Sequence, residues 1–362
     1  MVQMAYELVR PSELSLADRA AWRDFTACDP TLGSPYFSLE FAQCCEEARS
    51  DTRVLVQRRR GQATGFLPMH VGRVGYARPL GGPLGDVQGV IAAPGEVFAI
   101  TEALGAVHIP VFNFESALAS QAAFRDHQTG CTGSWIIDLS AGYDAWREGR
   151  KAIAPKVIRN LDSRRRRMER VEGGFSFVMA DQRPDAFETM IAWKRDQYHR
   201  THVFDVFSVN WTRKLLAAIL RRESEHFMGL LSTLNINGEI AAVHVGMASD
   251  RVCHYWFPAY NADYSRLSPG ILMIEEMAQT AAMMGLEAME LGPGDYAFKK
   301  DLASYQTGLA SGYAVSPSVL GVARKTVRAL VNASEHAPLG RASAWPGKAM
   351  RKLDRLSSFY AA

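Results

Sequence analysis

Three apolar runs joined by two tight-turn signals constrain this chain more than any other feature. Residues 227–236, 239–248 and 252–259 are separated by Asn237-Gly238 and Ser249-Asp250. Asn-Gly tolerates positive φ at both positions and so favours a two-residue hairpin; the runs read as consecutive antiparallel strands. After residues 260–268 the period changes. From 269 to 284 the apolar residues Ile271, Leu272, Ile274, Met277, Ala278 and Ala281 fall on one helical stripe, Gly285 stops it, and 286–291 reads as a strand again. Hairpins followed by a helix and a further strand specify an α+β fold with a mixed sheet.

The rest of the chain reads in the same terms. Residues 15–26 and 38–49 are expected helices, each opened by a serine able to cap orphan amides. Residues 53–57 and 63–71 pair about Arg60-Gly61, 78–85 is a glycine–proline loop, and 109–114 and 134–139 are strands. A long polar helix covers 143–171 with a break at Pro155; 175–179 is a strand, 185–201 an amphipathic helix burying Phe187, Met190, Ile191 and Trp193, and 211–222 a shorter helix. A chain of 362 residues suits two domains. The expected division is 1–142, a linking helix at 143–172, a second lobe at 173–315 and a basic extension at 316–362, with helices at 318–332 and 347–360.

Net charge is only +3, but residues 147–170 carry a local +7 and 316–362 a local +6, so the remainder is acidic. Anionic partners fit this pattern, as do solvated helix faces. Arg164 to Arg167 cannot all face one partner at 3.6 residues per turn. The run lacks interleaved aromatics, and no helix-turn-helix or zinc pattern is present, which weighs against nucleic acid. No stretch nears 18 apolar residues and the start lacks a basic-then-apolar leader, so a cytoplasmic protein is expected. Cys28, Cys44, Cys45, Cys131 and Cys253 form neither a CxxC pair nor a framework and read as reduced thiols; no metal is expected.

The segment Leu267-Ser268-Pro269-Gly270-Ile271-Leu272 stands before the most legible helix. Proline costs nothing at a first helical position, glycine admits close approach, and the bare amides with the helix dipole suit a pyrophosphate. An ordinary capped helix is the plainer alternative. Asn237-Gly238 with Ala241-Ala242-Val243-His244, Tyr255-Trp256-Phe257-Pro258-Ala259-Tyr260, Leu267-Ser268-Pro269-Gly270, Gly285, and Glu290-Leu291-Gly292-Pro293-Gly294-Asp295-Tyr296-Ala297-Phe298-Lys299 follow one another along the chain. Through these residues the stretch 234–303 resembles the acetyltransferase domain of CelD-like proteins, a GNAT branch related to the FemAB peptidyl transferases. Weaker similarity, including the arginine run and the 78–85 loop, extends to most of residues 5–305.

This resemblance implies two GNAT-like lobes, the first degenerate, each a mixed, mostly antiparallel sheet flanked by helices. It implies an acyl-CoA donor, acetyl-CoA foremost, and an amine or hydroxyl acceptor on an amino sugar or glycan of bacterial exopolysaccharide or biofilm. Ser-Pro-Gly replaces the usual GNAT signature of glutamine or arginine followed by spaced glycines. Ser268, Pro269, Gly270, Ile271, Leu272 and Lys299 are expected to hold the donor, and His244 or Asp295 to handle the proton. Their alternatives are a capped helix start, a solvated lysine, a core histidine and a turn aspartate. Tyr255, Trp256 and Tyr260 are candidates for stacking on a sugar or for the core; strand alternation puts Tyr255 and Phe257 on one face, Trp256 and Pro258 on the other. Glu275, on the apolar side of its helix, either pairs with a basic residue or lines the site. The 316–362 extension suits packing on the enzyme, an anionic membrane surface or a cyclic dinucleotide. Two other functions stand beside the transferase: a non-catalytic sensor or tether of an export complex, and a FemAB-type aminoacyl transferase using tRNA.

Overall fold

The computed structural model describes residues 4–72, 75–318 and 359. The two helices expected beyond 316 fall almost wholly outside them. In chain order the elements are β1 (Met4–Val9), α1 (Leu16–Cys28), α2 (Leu39–Ala48), β2 (Thr52–Arg59), β3 (Gln62–Val71), β4 (Tyr76–Pro79), β5 (Ile91–Ala92), α3 (Ile100–Ala106), β6 (Val111–Leu118), α4 (Ala122–Arg125) and β7 (Gln128–Asp138). There follow α5 (Tyr143–Ile153), α6 (Pro155–Glu169), β8 (Phe175–Val178), α7 (Pro184–Thr201), α8 (Asn210–Leu220), β9 (Glu223–Ser224), β10 (Phe227–Ile236), β11 (Glu239–Ser249), β12 (Val252–Tyr260), α9 (Pro269–Met283), β13 (Ala288–Pro293), α10 (Ala297–Leu302) and β14 (Tyr305–Val315).

The chain divides into two compact units. The first gathers the residues up to Leu32, Phe41–Thr132 and those from Gly308 on; the second gathers Gly33–Glu40 and Gly133–Thr307. In the first, β1, β2, β3 and β4 pair antiparallel in turn, β4 runs parallel to β6, and β6 pairs antiparallel with β14. Helix α1 begins at Ser15, whose hydroxyl accepts from the Asp18 amide in a capping box, and buries Trp22 against Phe66. Leu55, Leu67, Met69, Phe112, Phe114 and Phe124 centre the core.

The second unit repeats this plan. β8, β10, β11 and β12 pair antiparallel, β12 runs parallel to β13, and β13 pairs antiparallel with the end of β7. Two helices again separate the first strand from the second, and one helix again joins the parallel pair. The expected mixed, mostly antiparallel sheet flanked by helices is therefore found in each unit. The β10–β11 turn has Asn237 at φ 51° and Gly238 at φ 82°, the geometry that Asn-Gly favours. Helix α9 buries Leu272, Met273, Ile274, Met277, Ala278 and Ala281, and Gly285 in the left-handed region ends it. α5 and α6 cover its outer side.

The break expected at Pro155 divides the polar helix in two, because Pro155 begins α6 after Ala154 leaves helical geometry. The strand expected at 286–291 starts at Ala288, since the Leu286 amide is still held by Ala281. The two compact units are each assembled from separate stretches of the sequence. The end of β7, from the first half of the sequence, closes the second unit, β14 closes the first, and residues 33–40 sit with the second.

Candidate active site

The parallel ladder between β12 and β13 is short. It runs through Val252↔Ala288, Cys253↔Met289 and His254↔Glu290 and stops. Beyond it β13 bends, with an irregularity between Glu290 and Gly292, toward β7, while β12 continues beside β11 past its own irregularity between Val245 and Met247. The strands part, and backbone groups past His254 and Glu290 lose each other as partners.

Helix α9 starts beside this gap. Ser268 is left-handed (φ 57°), and its carbonyl accepts from the Ile271 amide at 3.1 Å and the Leu272 amide at 3.3 Å. Pro269 has no N–H, which leaves the Gly270 amide as the donor without an acceptor among the described residues. A Cβ on Gly270 would lie 3.6 Å from the Tyr260 ring, in ordinary contact, and Tyr260 is itself 53% exposed. Arg167, on α6, donates to the Arg266 carbonyl at 2.8 Å and so brings a guanidinium to the same turn. Ser268, Gly270 and Ile271 are half-buried, whereas Pro269 and Leu272 are buried and Leu272 is a core residue. A diphosphate here would meet backbone, the helix dipole and one cation.

Two lysines flank the parted strand ends. Lys299, buried on α10, donates to the carbonyls of Gly292 at 3.2 Å and Pro293 at 2.7 Å. Lys194, on α7, donates to the Pro258 carbonyl of β12 at 3.0 Å. Burial, and then the charge of Lys299, push Lys194 down to about 8. Nothing in its surrounding sequence marks Lys194 out.

His244 is wholly buried on β11. Its ring stacks on Tyr255 at 4.6 Å between centroids, and its Nε2 accepts from the Trp256 amide at 3.0 Å. Burial, followed by His254 and Lys194, brings it down to about 3, so the ring is neutral. Taking a proton from an acceptor at Nε2 would require breaking the Trp256 bond. Trp256 and Phe257 do not alternate as expected: the irregularity in the β11–β12 register puts Trp256 edge-on to Tyr36 and next to Phe257, whose ring meets Phe207, while Tyr255 stays in the α9-side core.

Glu275 is 1% exposed and held by charge. Tyr143 donates to its Oε1 at 3.0 Å, Arg147 pairs with the same oxygen, and Arg165 lies 3.2 Å from Oε2. This is the basic pairing weighed as one of its two readings, and it ties α9 to α5 and α6. Asp295 is exposed and pairs with Lys300 at 2.6 Å. Among the described residues no cluster of three or more His, Cys, Asp or Glu could hold a metal ion, and no helix is long and apolar enough to cross a membrane.

Sequence reasoning passed over a second polar cluster at the apex of the gap. Glu290 Oε2 accepts from Ser34 Oγ at 2.7 Å and lies 3.3 Å from His254 Nδ1, and Tyr36 Oη lies 3.2 Å from His254 Nε2. All four side chains are buried. Glu290 stood within the family-like motif, but its partner Ser34, and Tyr36 beside His254, come from more than two hundred residues earlier.

Residues 155–300 match the family model described as Acetyltransferase (GNAT) domain. No curated relative matches the chain in sequence. Among solved structures the fold is similar to FemX (TM-score 0.54, 10% identity, 85% of this chain and 96% of that one). It is also similar to the C-terminal domain of a putative lysylphosphatidylglycerol synthetase from Agrobacterium fabrum (0.50, 14%, 86% and 97%). A third likeness is to a conserved protein of unknown function from Bacteroides thetaiotaomicron (0.50, 12%, 86% and 100%). At these identities the likeness is one of fold. The stretch that holds β8, β10, β11, β12 and β13, with α7 and α8 before β10 and α9 across the parallel pair, is thus the part of the chain that matches a GNAT acetyltransferase domain.

Proposed function

We propose that this protein transfers an acyl group, acetyl foremost, from acyl-CoA to an amine or hydroxyl on an amino sugar or glycan. The observation that carries the reading is the parting of β12 and β13 beside the α9 start, where a free amide and a helix dipole face the same gap. The donor diphosphate takes the Ser268–Gly270 turn, with Tyr260 against the nucleotide end. Its acyl arm lies between the strands, where Lys194 and Lys299 raise the local positive potential. Direct attack on the thioester needs no covalent nucleophile; holding the reactants and stabilising the developing oxyanion supply most of the acceleration. Asp295, bonded at the surface to Lys300, and His244, bonded to the Trp256 amide, are poorer proton acceptors than the sequence suggested.

The exopolysaccharide setting is proposed on the CelD-like resemblance of residues 234–303, and a cytoplasmic location on the reading of the five cysteines as reduced thiols. Residues 316–362 are proposed to meet an anionic membrane surface or a cyclic dinucleotide through their basic charge. Titration calorimetry of the full chain with acetyl-CoA tests the donor: saturable binding is expected. Absence of binding to any acyl-CoA would overturn the reading in favour of a tRNA-borne donor or a non-catalytic tether. For the acceptor, incubation with candidate amino sugars should add roughly 42 Da, an acetyl group replacing a hydrogen.

A further inference from the structure

We propose that Tyr36, His254 and Glu290 form a proton relay at the apex of the strand gap, with Tyr36 the group that exchanges protons with the reacting atoms. The inference rests on the acyltransferase reading above and names residues that neither the resemblance nor the family match assigns.

Position is the first argument. His254 and Glu290 are the last register pair before β12 and β13 separate, so their side chains stand at the closed end of the gap. Tyr36 is carried there by the Gly33–Glu40 segment, which belongs to the same unit and is anchored by the Ser249 hydroxyl donating to the Gly33 carbonyl at 2.6 Å. Its ring packs edge-on to His254 at 4.9 Å and to Trp256 at 5.6 Å, and Trp256, half-buried, is among the first residues past the last paired position.

Directionality is the second. The Glu290 carboxylate lies 3.3 Å from Nδ1, outside hydrogen-bond geometry, and its charge favours the tautomer with the proton on that nitrogen, in which Nε2 accepts from the Tyr36 hydroxyl. Ser34 donates to the same carboxylate oxygen and fixes its orientation. A base oriented by a third group and bonded to a hydroxyl is the geometry of activated hydroxyls in general. An apolar cluster of equal volume would stabilise this interior as well or better, so stability alone does not account for four buried polar side chains.

The step balances without a further reactant. A neutral acceptor amine forms the C–N bond at the thioester carbon. Its N–H proton moves to Tyr36 Oη as the Tyr36 proton moves to His254 Nε2, giving an imidazolium opposite Glu290. The C–S bond then breaks with its electron pair on sulfur, and the proton returns through Tyr36 to make the free thiol. The other titratable groups around the relay are His244 on β11, Cys253 on β12, and Tyr305 at the start of β14.

The test uses the full chain, acetyl-CoA as donor, and thiol release with glucosamine or water as acceptor. Tyr36→Phe should lower turnover by about 100-fold, leave the acetyl-CoA Kd within about twofold, and remove the limb of the pH–rate profile that rises as His254 loses its proton. Glu290→Gln keeps the Ser34 bond but removes the charge, and should slow turnover and move that limb to lower pH. Unchanged turnover and profile in Tyr36→Phe, with a wild-type unfolding midpoint, overturn the relay and leave the transferase standing. Acetyl-CoA bound but never cleaved by the wild type overturns the relay together with the transferase reading, as does no binding at all.

Discussion

Two histidines, one in each unit, are kept neutral by burial, and this sets how the chain responds to acid. His70 accepts from the Gly81 amide at Nε2 (3.1 Å), faces Asp51 at Nδ1 (3.2 Å), and is lowered by burial to about 4; His244 is lowered to about 3. Both titrate near 6.5 in an unfolded chain. Between these values the unfolded chain binds protons that the folded one does not. The stability from the two neutral rings is therefore complete above about pH 6.5 and is lost as the pH falls toward 4 and then 3. The His70 contribution amounts to roughly 3 kcal/mol when fully lost. Urea midpoints measured from pH 7 down to 4.5 should decline, and His70→Gln should flatten the decline; a midpoint flat with pH in the wild type would contradict it.

At the level of elements, α9 carries both the domain's core and its proposed ligand end. Its start leaves the Gly270 amide without an acceptor among the described residues and carries little side-chain bulk, so charge rather than size is the sensitive variable. Gly270→Ala should bind acetyl-CoA nearly as the wild type does, whereas Gly270→Glu should weaken binding by about tenfold, because a carboxylate there opposes an incoming phosphate. Calorimetric Kd values for the two variants decide it. Such features were legible in the sequence because they are local: the Asn237-Gly238 turn, the apolar stripe of α9 and the Ser-Pro-Gly start depend on residues within a few positions. The shift of face at Trp256 was not, since it comes from a mismatch with β11 across the sheet. Nor was the apex cluster, whose Ser34–Glu290 bond spans 256 positions. Glu275 shows the intermediate case: its oddness was visible, but the choice between pairing and binding needed Arg147 and Arg165 in space.

For the molecule as a whole, the governing fact is that each unit borrows its last strand. β6 is flanked by β14, and β13 by the end of β7. Halves divided in the 140–142 connection therefore each lack a strand and expose the edge it covers. Expressed singly they should aggregate; expressed together they should yield a soluble 1:1 complex by size-exclusion chromatography. Two halves that are each soluble and monomeric would refute the borrowing as a requirement for folding.

The same borrowing imposes an order in time. β6 ends at Leu118 and β14 begins at Tyr305, so a ribosome adding 5–20 residues per second leaves that edge open for about 10 to 40 s. During that interval an unfinished sheet in a crowded cell stays exposed to wrong partners, and the chain's yield depends on what shields it until the late strand emerges.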